Sequence, residues 1–282
     1  MELHNAGAEI YVPDGSPADV ALSRTTHLGV AAHQDDIEIM AYHGILECFG
    51  KSDKGFSGVT VTNGSGSPRD GLYGSYTDEE MQVVRRKEQR KAAFIGEYAA
   101  HVFFDYSSSD VKDPTNTHVV EDLKRILAAS KPQVIYAHNL ADKHDTHVAT
   151  TLRLIRALRE LPRDSRPRHL YGCEVWRNLD WLNDNDKVVF DVGAHENLAA
   201  ALVGVFDSQV CGGKRYDLAT MGRRRANATY LASHGVDVST GLIFGTDLTP
   251  LIDNDQLDAG EFIQGFIQRL AKEVSDRIAK LA

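Results

Sequence analysis

Two groups of histidines and carboxylates, about a hundred residues apart, have the types and spacing of a metal site. The first group is His33, Asp35 and Asp36, which directly follow the apolar run 28–32. An apolar run without helical periodicity is typical of a strand buried on both faces. From Ile37 onwards apolar residues recur at helical spacing, so the polar group lies where a strand gives way to a helix. Two carboxylates beside an imidazole repel each other unless a cation holds them, and a metal ion is the simplest such cation.

The second group, His144 and His147, follows the apolar run 134–137 and stands at the start of a predicted helix. Residues three apart can point the same way in the first helical turn. If the two strands are parallel in one sheet, their carboxyl ends face the same crevice, where open α/β sheets bind ligands. Three ligands from His33, Asp36 and His147 would leave one metal position open for water, which is typical of catalytic sites.

These motifs resemble the PIG-L/LmbE-like family, which contains zinc-dependent N-acetylglucosaminyl deacetylases. The resemblance rests on residues 33–38 and 138–147, with weaker similarity at 61–66, 85–93 and 171–177, and it extends over roughly 26–209. The chain departs from the family pattern at Gln34, where proline is usual, and at Asp145-Thr146, where the family has Pro-Asp between two histidines. Neither departure removes a metal ligand.

The resemblance implies a fold, a cofactor and a reaction. The expected fold is α/β, a Rossmann-like open, mostly parallel sheet with helices on both faces and a metal site at the carboxyl ends of the strands. The expected cofactor is Zn²⁺ held by His33, Asp36 and His147, although Fe²⁺ suits two imidazoles and one carboxylate equally well. Asp35 is the expected general base, and His144 the expected general acid or oxyanion stabiliser. The expected reaction is hydrolytic removal of an acetyl group from an N-acetylated amino sugar or sugar conjugate.

Five further residues are expected to contact the substrate or shape its site. They are Arg69 in a Gly/Ser-rich loop, Arg86 on a predicted helix, Asp105 and Asp142 after predicted strands, and Trp176 at the end of another strand. In the resembling family an acid near Asp105 orients the catalytic imidazole, and an arginine near Arg86 lies close to the sugar. Ion pairing along a helix face explains Arg86 equally well.

Two other functions fit the same motifs. The family also includes metal-dependent hydratases of unsaturated carboxylic acids, for which Arg69, Lys143 and Arg177 are available as carboxylate-binding cations. A non-catalytic metal- or sugar-binding protein is the alternative from a different class. A helix N-cap with a neighbouring acid would account for Asp35 or Asp36 alone, but it does not account for a second histidine-rich strand end.

The composition narrows the partners and the location. The chain has 282 residues, 42% of them hydrophobic and 25% charged, with a net charge of −9. This balance argues against a nucleic-acid partner, and the absence of a long apolar stretch argues against a membrane span. Three scattered cysteines are typical of a reducing compartment, so a cytoplasmic protein with a small-molecule substrate is expected. We predict an N-terminal arm over 1–25, a single catalytic domain over 26–282 that ends in an amphipathic helix, and a homo-oligomer.

Overall fold

The structure is a computed structural model that describes residues 1–282. The strands are β1 (Glu9–Tyr11), β2 (His27–Ala31), β3 (Phe56–Thr62), β4 (Ala100–Tyr106), β5 (Val134–His138), β6 (His169–Cys173), β7 (Val188–Asp191) and β8 (Leu242–Asp247). The helices are α1 (Ala18–Ser23), α2 (Asp36–Met40), α3 (Tyr42–Cys48), α4 (Asp78–Ile95), α5 (Ser108–Lys112), α6 (His118–Ser130), α7 (Asp145–Arg159), α8 (Glu196–Gly204), α9 (Asp207–Val210), α10 (Tyr216–Tyr230), α11 (Pro250–Asp253) and α12 (Ala259–Leu281).

All eight strands form one mixed sheet in the order β1-β4-β3-β2-β5-β6-β8-β7. The central five strands are parallel, whereas β1, β8 and β7 are joined through antiparallel pairs at the two sides. The chain proceeds outward from β2 to β3 and β4, and then returns to the other side of β2 with β5. The strand order therefore reverses between β2 and β5, and such a switch point is where open α/β sheets bind ligands. The predicted fold class is confirmed.

Apolar residues that alternate along the central strands give the sheet two cores. Leu28 and Val30 of β2 belong to a cluster of 27 buried residues on one face, whereas Ala31 belongs to a cluster of 22 on the other. On β5, Ile135 and Tyr136 divide between the two faces in the same way. Because both faces of the sheet are covered, the sequences of the central strands are nearly continuous apolar runs, which is typical of buried parallel strands.

Local sequence features determine where the helices around the site begin and end. Helix α4 begins with a capping box, in which Thr77 and Glu80 satisfy each other's backbone N–H groups. The helix predicted to follow the first polar group is broken in two, since Ala41 leaves the helical region and separates α2 from α3. Gly44 permits α3 to lie against β5, because a Cβ at this position would overlap the ring of Tyr136.

The two ends of the chain pack differently. Residues 1–25 contribute the edge strand β1, whose Glu9 pairs with Phe103 of β4, and the short helix α1. The sequence had predicted only an arm over this segment; its division from a single domain over 26–282 stays a prediction. None of the helices is long and apolar enough to cross a bilayer.

Candidate metal-dependent active site

The turn after β2 folds around its own carboxylates. The backbone N–H of His33 donates to Oδ2 of Asp36 at 2.8 Å, which closes the turn on the first residue of α2. Asp35 occupies a positive φ of 89°, a conformation that non-glycine residues seldom adopt. Its N–H donates to Oε1 of the buried Gln89 at 3.1 Å, so helix α4 holds this unusual backbone in place. Backbone strain of this kind is found where the surrounding structure fixes a functional group.

The second group is positioned by the connection from β5 to α7. Asp142 accepts the backbone N–H of His144 at 3.0 Å through Oδ1, and the backbone N–H of Trp176 at 3.0 Å through Oδ2. Thr151 donates to the carbonyl of His138 at 2.8 Å, which ties α7 to the end of its strand. His147 is thereby fully buried in the first turn of α7 and faces the turn after β2.

Three side-chain atoms from the two groups converge on one point. Nδ1 of His33 lies 3.1 Å from Nε2 of His147 and 3.2 Å from Oδ2 of Asp36, and the remaining pair is 3.3 Å apart. Ligands held at zinc bond lengths in a tetrahedron lie about 3.3 Å from one another. The three atoms therefore have the mutual spacing of one face of a tetrahedral zinc site.

The electrostatics of these groups also fit a cation. Burial raises the pKa of the Asp36 carboxyl, with His147 opposing it, so an uncompensated negative charge is unfavourable there. Burial, with Arg85 acting in the same direction, lowers the pKa of His33 to about 3, and burial lowers that of His147 as well. Neutral imidazoles are the form that ligates metals. A divalent cation would compensate the negative charge of ionised Asp36, which burial otherwise disfavours.

Two other histidines lie beside this cluster. Nε2 of His138 accepts the backbone N–H of Ala32 at 2.9 Å, so its lone pair is already engaged and a ligand role is disfavoured. His144 can join His33 and His147 in a second grouping of metal-competent atoms. Its ring stacks on that of His147 with centroids 4.6 Å apart, and it is only half-buried. This places His144 at the entrance of the cluster, where it can reach a bound molecule.

Asp35 lies beside the cluster but turns to a different partner. Its Oδ2 accepts from Nη2 of Arg85 at 3.1 Å, and the same guanidinium donates to the backbone carbonyl of Gln34. Both members of the pair are buried. Burial raises the pKa of Asp35 to about 8, although Arg85 opposes the shift and Asp36 reinforces it. A carboxyl group whose pKa lies near neutrality can both accept and return a proton.

A cavity of about 310 Å³ opens over these groups at the carboxyl ends of the strands. It is lined by His33, Asp35, Asp36, Thr62, Gly64, Gly66, Ser67, Pro68, Arg85, Ser108, Lys112, His144, Thr146, Trp176, Gln209 and Tyr216. The volume lies at the small end of the range of ligand sites. Gly64 has a φ of 79°, and a Cβ there would lie 2.6 Å from Oε1 of Gln34, so glycine is needed where this wall meets the turn.

Trp176 faces the cavity, whereas Asp142 lies behind the histidines. Trp176 forms part of the cavity wall, with its ring 6.4 Å from that of His144. Asp142 lies behind the cluster, with Oδ2 3.6 Å from Nδ1 of His147. Burial opposes ionisation of Asp142, yet its interactions with His147, His144 and Trp176 together hold its pKa below the usual value. Asp142 contacts the imidazole and does not line the cavity, so its expected contact with the substrate stays a prediction that this placement does not favour.

Arg69 does not line the cavity. Its guanidinium donates to the backbone carbonyls of Ser65 at 2.5 Å and Tyr76 at 2.8 Å, and it pairs with Asp78. These contacts stabilise the loop in which Arg69 lies. This placement does not favour the expected substrate contact of Arg69, because its donors are engaged within its own segment.

Arg86 and Asp105 also lie outside the cavity, where they pair with each other. Nη2 of Arg86 donates to Oδ1 of Asp105 at 2.7 Å, and its Nη1 donates to the carbonyl of Gly7 at 2.8 Å. These contacts fasten the N-terminal segment to α4 and β4. This placement does not favour the expected roles of Arg86 at the sugar and of Asp105 behind the catalytic imidazole; the acid that lies behind His147 is Asp142.

The arginine that does reach the site is Arg85, one residue earlier on α4. The helical spacing could have indicated that Arg85 faces inward. The buried residues of this face recur at intervals of three and four, and they are Met81, Arg85, Gln89 and Ala92. Arg86 falls outside this stripe. Lys112, Gln209 and Tyr216 were also missed, because they come from distant segments whose approach to the site no local pattern indicates.

The fold and the convergent side chains define an α/β protein with a candidate divalent-metal centre at the switch point of its sheet. Residues 28–158 match the family model of PIG-L, described as GlcNAc-PI de-N-acetylase. The match covers both histidine groups and confirms the predicted resemblance to the PIG-L family. No curated protein matches the chain.

Solved structures share the fold at low sequence identity. A conserved protein from Thermus thermophilus is 19% identical, with a TM-score of 0.58 over 83% of this chain and 100% of its own. The N,N'-diacetylchitobiose deacetylase from Pyrococcus horikoshii is also 19% identical, with a TM-score of 0.58 over 77% and 82%. GalB, the 4-carboxy-2-hydroxymuconate hydratase from Pseudomonas putida, is 15% identical, with a TM-score of 0.56 over 79% and 96%. The same architecture thus occurs in a deacetylase and in a hydratase.

Proposed function

We propose that this protein is a metal-dependent hydrolase that removes the acetyl group from an N-acetylated amino sugar or sugar conjugate. The observation that carries the proposal is the convergence of His33, Asp36 and His147 beside Asp35, whose Oδ2 accepts from Arg85. The match to a de-N-acetylase family model over both groups supports the same reaction class. A metal triad with a separate carboxylate beside it is one arrangement that catalyses hydrolysis of an amide.

The residues that would hold the metal are His33, Asp36 and His147, and the proposed ion is Zn²⁺, with Fe²⁺ as the alternative. When bound, such an ion would polarise the amide carbonyl and make a water molecule acidic enough to attack it near neutral pH. Asp142 would keep the ring of His147 oriented through its far nitrogen, as carboxylates behind metal-binding histidines do.

Asp35 is the proposed general base and Arg85 its positioning partner. The carboxylate would take a proton from the attacking water and later deliver it to the leaving amine nitrogen. Arg85 fixes the carboxylate through the 3.1 Å contact, and Gln89 fixes its backbone. The guanidinium also limits the rise of the pKa of Asp35, so a useful fraction of the carboxyl group stays ionised.

His144 is the proposed oxyanion-stabilising group or general acid, since its half-buried ring faces the cavity between the metal-competent cluster and Trp176. Trp176 offers an apolar face of the kind on which sugar rings pack. Nζ of Lys214 lies 5.0 Å from the centre of that indole ring, a cation–π contact that favours this position of the wall.

The test is release of acetate from N-acetylglucosamine conjugates by the zinc-loaded chain. Asp35→Asn should bind zinc normally but lose about 10²- to 10⁴-fold in kcat, the usual contribution of a general base. Asp253→Asn, an exposed acid on α11, is the matched control and should retain full activity. Unchanged turnover in Asp35→Asn would leave only a metal- or sugar-binding protein.

A hydratase of an unsaturated carboxylic acid is the second candidate, favoured by two cationic side chains in the cavity wall. These are Arg85 and Lys112, whereas Arg69, Lys143 and Arg177, the cations expected from the sequence, do not line the cavity. A carboxylate could pair with either cation. Loss of an enoate's ultraviolet absorbance without acetate release from any N-acetylated sugar would select this reaction.

Three further predictions accompany the proposed activity. The substrate is expected to be a small molecule, the chain a homo-oligomer and its location cytoplasmic. The cavity volume supports the first, since it lies at the small end of the range of ligand sites.

A further inference from the structure

The last helix, α12, leaves the body of the protein with one apolar face uncovered. Its first half is anchored, because Phe262 and Phe266 pack with Trp181 in a small separate core. Arg269 also pairs with Asp186 at 2.8 Å. Beyond this point nearly every residue of the helix is exposed. An isolated helical segment of this length is only marginally stable in water, so the second half lacks the packing that normally supports a helix.

The uncovered face is a stripe of five apolar residues. They are Ile267, Leu270, Val274, Ile278 and Leu281. Ile267 and Val274 are 48% and 45% exposed, and Ile278 and Leu281 are 63% and 78% exposed. Single exposed apolar residues are ordinary, but a contiguous stripe at helical spacing marks an interaction surface.

The spacing of this stripe is the same in both directions. Counted from Val274, Leu270 and Ile278 lie four residues away, and Ile267 and Leu281 lie seven away. A two-fold axis at Val274 would therefore place every apolar residue of one antiparallel helix against an apolar residue of an identical helix. A partner of different sequence would have no need of this symmetry.

The charges beside the stripe favour the same pairing. Glu273 and Arg277 lie on one flank, where they pair with each other in the single chain. A two-fold axis perpendicular to two antiparallel helices brings this flank against the same flank of the second copy. Glu273 of one chain then lies about 3 Å along the axis from the level of Arg277 of the other, and the reverse holds for the second pair. The other flank carries Ala271 and Ser275, which permit close approach.

We infer that the stripe is the contact surface for a second copy of this chain, through an antiparallel pairing of α12 with its two-fold mate. The opposite face carries charges of both signs, including the pair of Lys272 and Asp276 at 2.5 Å, which does not favour an anionic membrane surface. The contact spans residues 267–281, a length of roughly 21 Å. One helix pair buries less than the ~800 Å² per partner of a standard stable interface, so the dimer should dissociate on dilution.

Sedimentation of the full chain over a range of concentrations tests the inference. The wild-type chain should shift from monomer to dimer as concentration rises, and Val274→Asp should remain monomeric throughout. Ala279→Asp adds the same charge on the exposed face that carries Lys272 and Asp276, away from the stripe, and should dimerise like the wild type. A wild-type monomer at all concentrations overturns the inference, as does a Val274→Asp dimer. Monomers that bind phosphatidylserine vesicles through α12 would assign the stripe to a membrane instead.

Disulfide trapping tests the direction of the pairing. In a Cys211→Ser background, which removes the exposed native cysteine, Ile267→Cys and Leu281→Cys are made as separate variants. An oxidised mixture should give mainly the mixed disulfide, because the antiparallel register sets position 267 against position 281. Disulfides within each variant alone would indicate a parallel pairing, and no disulfide would remove the contact. These readouts need no enzyme activity, so they stand apart from the proposed function.

Discussion

Nδ1 of His33 and Nε2 of His147 lie 3.1 Å apart although 114 residues separate them along the chain. Two ring nitrogens meet at this distance either through a shared proton or around a shared cation. Oδ2 of Asp36 lies within 3.3 Å of both, so a third ligand atom is already in place. The proposed chemistry depends on this meeting of two strand ends.

Metal binding should stabilise the fold through these residues. A ligand that binds only the folded state at 100 times its dissociation constant adds about 2.7 kcal/mol to the free energy of unfolding. We expect zinc to raise the Tm of the wild-type chain by several degrees and to leave that of His147→Ala unchanged. His169→Ala, which removes an exposed histidine at the start of β6, is the control and should respond like the wild type. Equal responses in all three would place the ion elsewhere.

Arg85 and Arg86 are neighbours on α4, but only the loss of Arg85 is expected to reduce stability and activity strongly. Arg85→Met leaves the buried Asp35 without its cation, and breaking a buried pair in this way costs about 3–5 kcal/mol. Activity should fall with it. Arg86→Met removes a partly exposed pair with Asp105, which is worth about 1 kcal/mol or less. Chemical denaturation and acetate release measured on both variants check the prediction, and a larger loss for Arg86→Met would contradict the assignment.

Asp142 should act on metal affinity rather than on the chemical step. Asp142→Asn removes the negative charge 3.6 Å from Nδ1 of His147 and keeps one oxygen, which can accept the backbone N–H of either His144 or Trp176. Removal of such a supporting carboxylate lowers metal affinity about 10- to 100-fold. Competition with a zinc chelator measures this change. A variant with unchanged affinity but lower kcat would show that Asp142 meets the substrate.

Stability should fall in acid because of a histidine far from the metal cluster. Burial lowers the pKa of His101 to about 3, well below its value of about 6.5 in an unfolded chain. The unfolded state therefore binds the proton first, and stability is lost as pH falls from about 6.5 towards 3, at about 1.4 kcal/mol per pH unit. His101→Gln should lack this contribution.

The measurement is the free energy of unfolding by urea at several pH values between 6 and 4. The difference between wild type and His101→Gln isolates one group from the other titrating side chains. His234→Gln, in an exposed turn, serves as the control and should follow the wild type. If His101→Gln and the wild type showed the same pH dependence of stability, His101 would bind its proton as readily in the folded chain as in the unfolded chain.

Much of this architecture follows from local patterns. The strand ends at His33 and before His144 are marked by abrupt changes from apolar to polar residues. Thr77 followed three residues later by Glu80 is the sequence signature of the capping box that begins α4. The edge strand β1 was missed because three half-buried residues give no clear alternation.

The rest of the site depends on contacts between distant segments. Arg69 and Arg86 were expected at the substrate because of their residue type and neighbourhood, but nearby carbonyls and carboxylates engage both guanidinium groups. Tyr216 and Lys112 enter the cavity wall from elements far apart in sequence. Local patterns indicate which strand ends carry ligands, whereas the packing of loops decides which cations and rings face them.

The most direct test is the position of zinc in crystals of the metal-loaded chain, located by anomalous scattering at the zinc absorption edge. The account predicts one principal peak about 2.0–2.2 Å from Nδ1 of His33, Nε2 of His147 and Oδ2 of Asp36. A principal peak that lacks either histidine, or crystals that contain no bound zinc or iron, would contradict it.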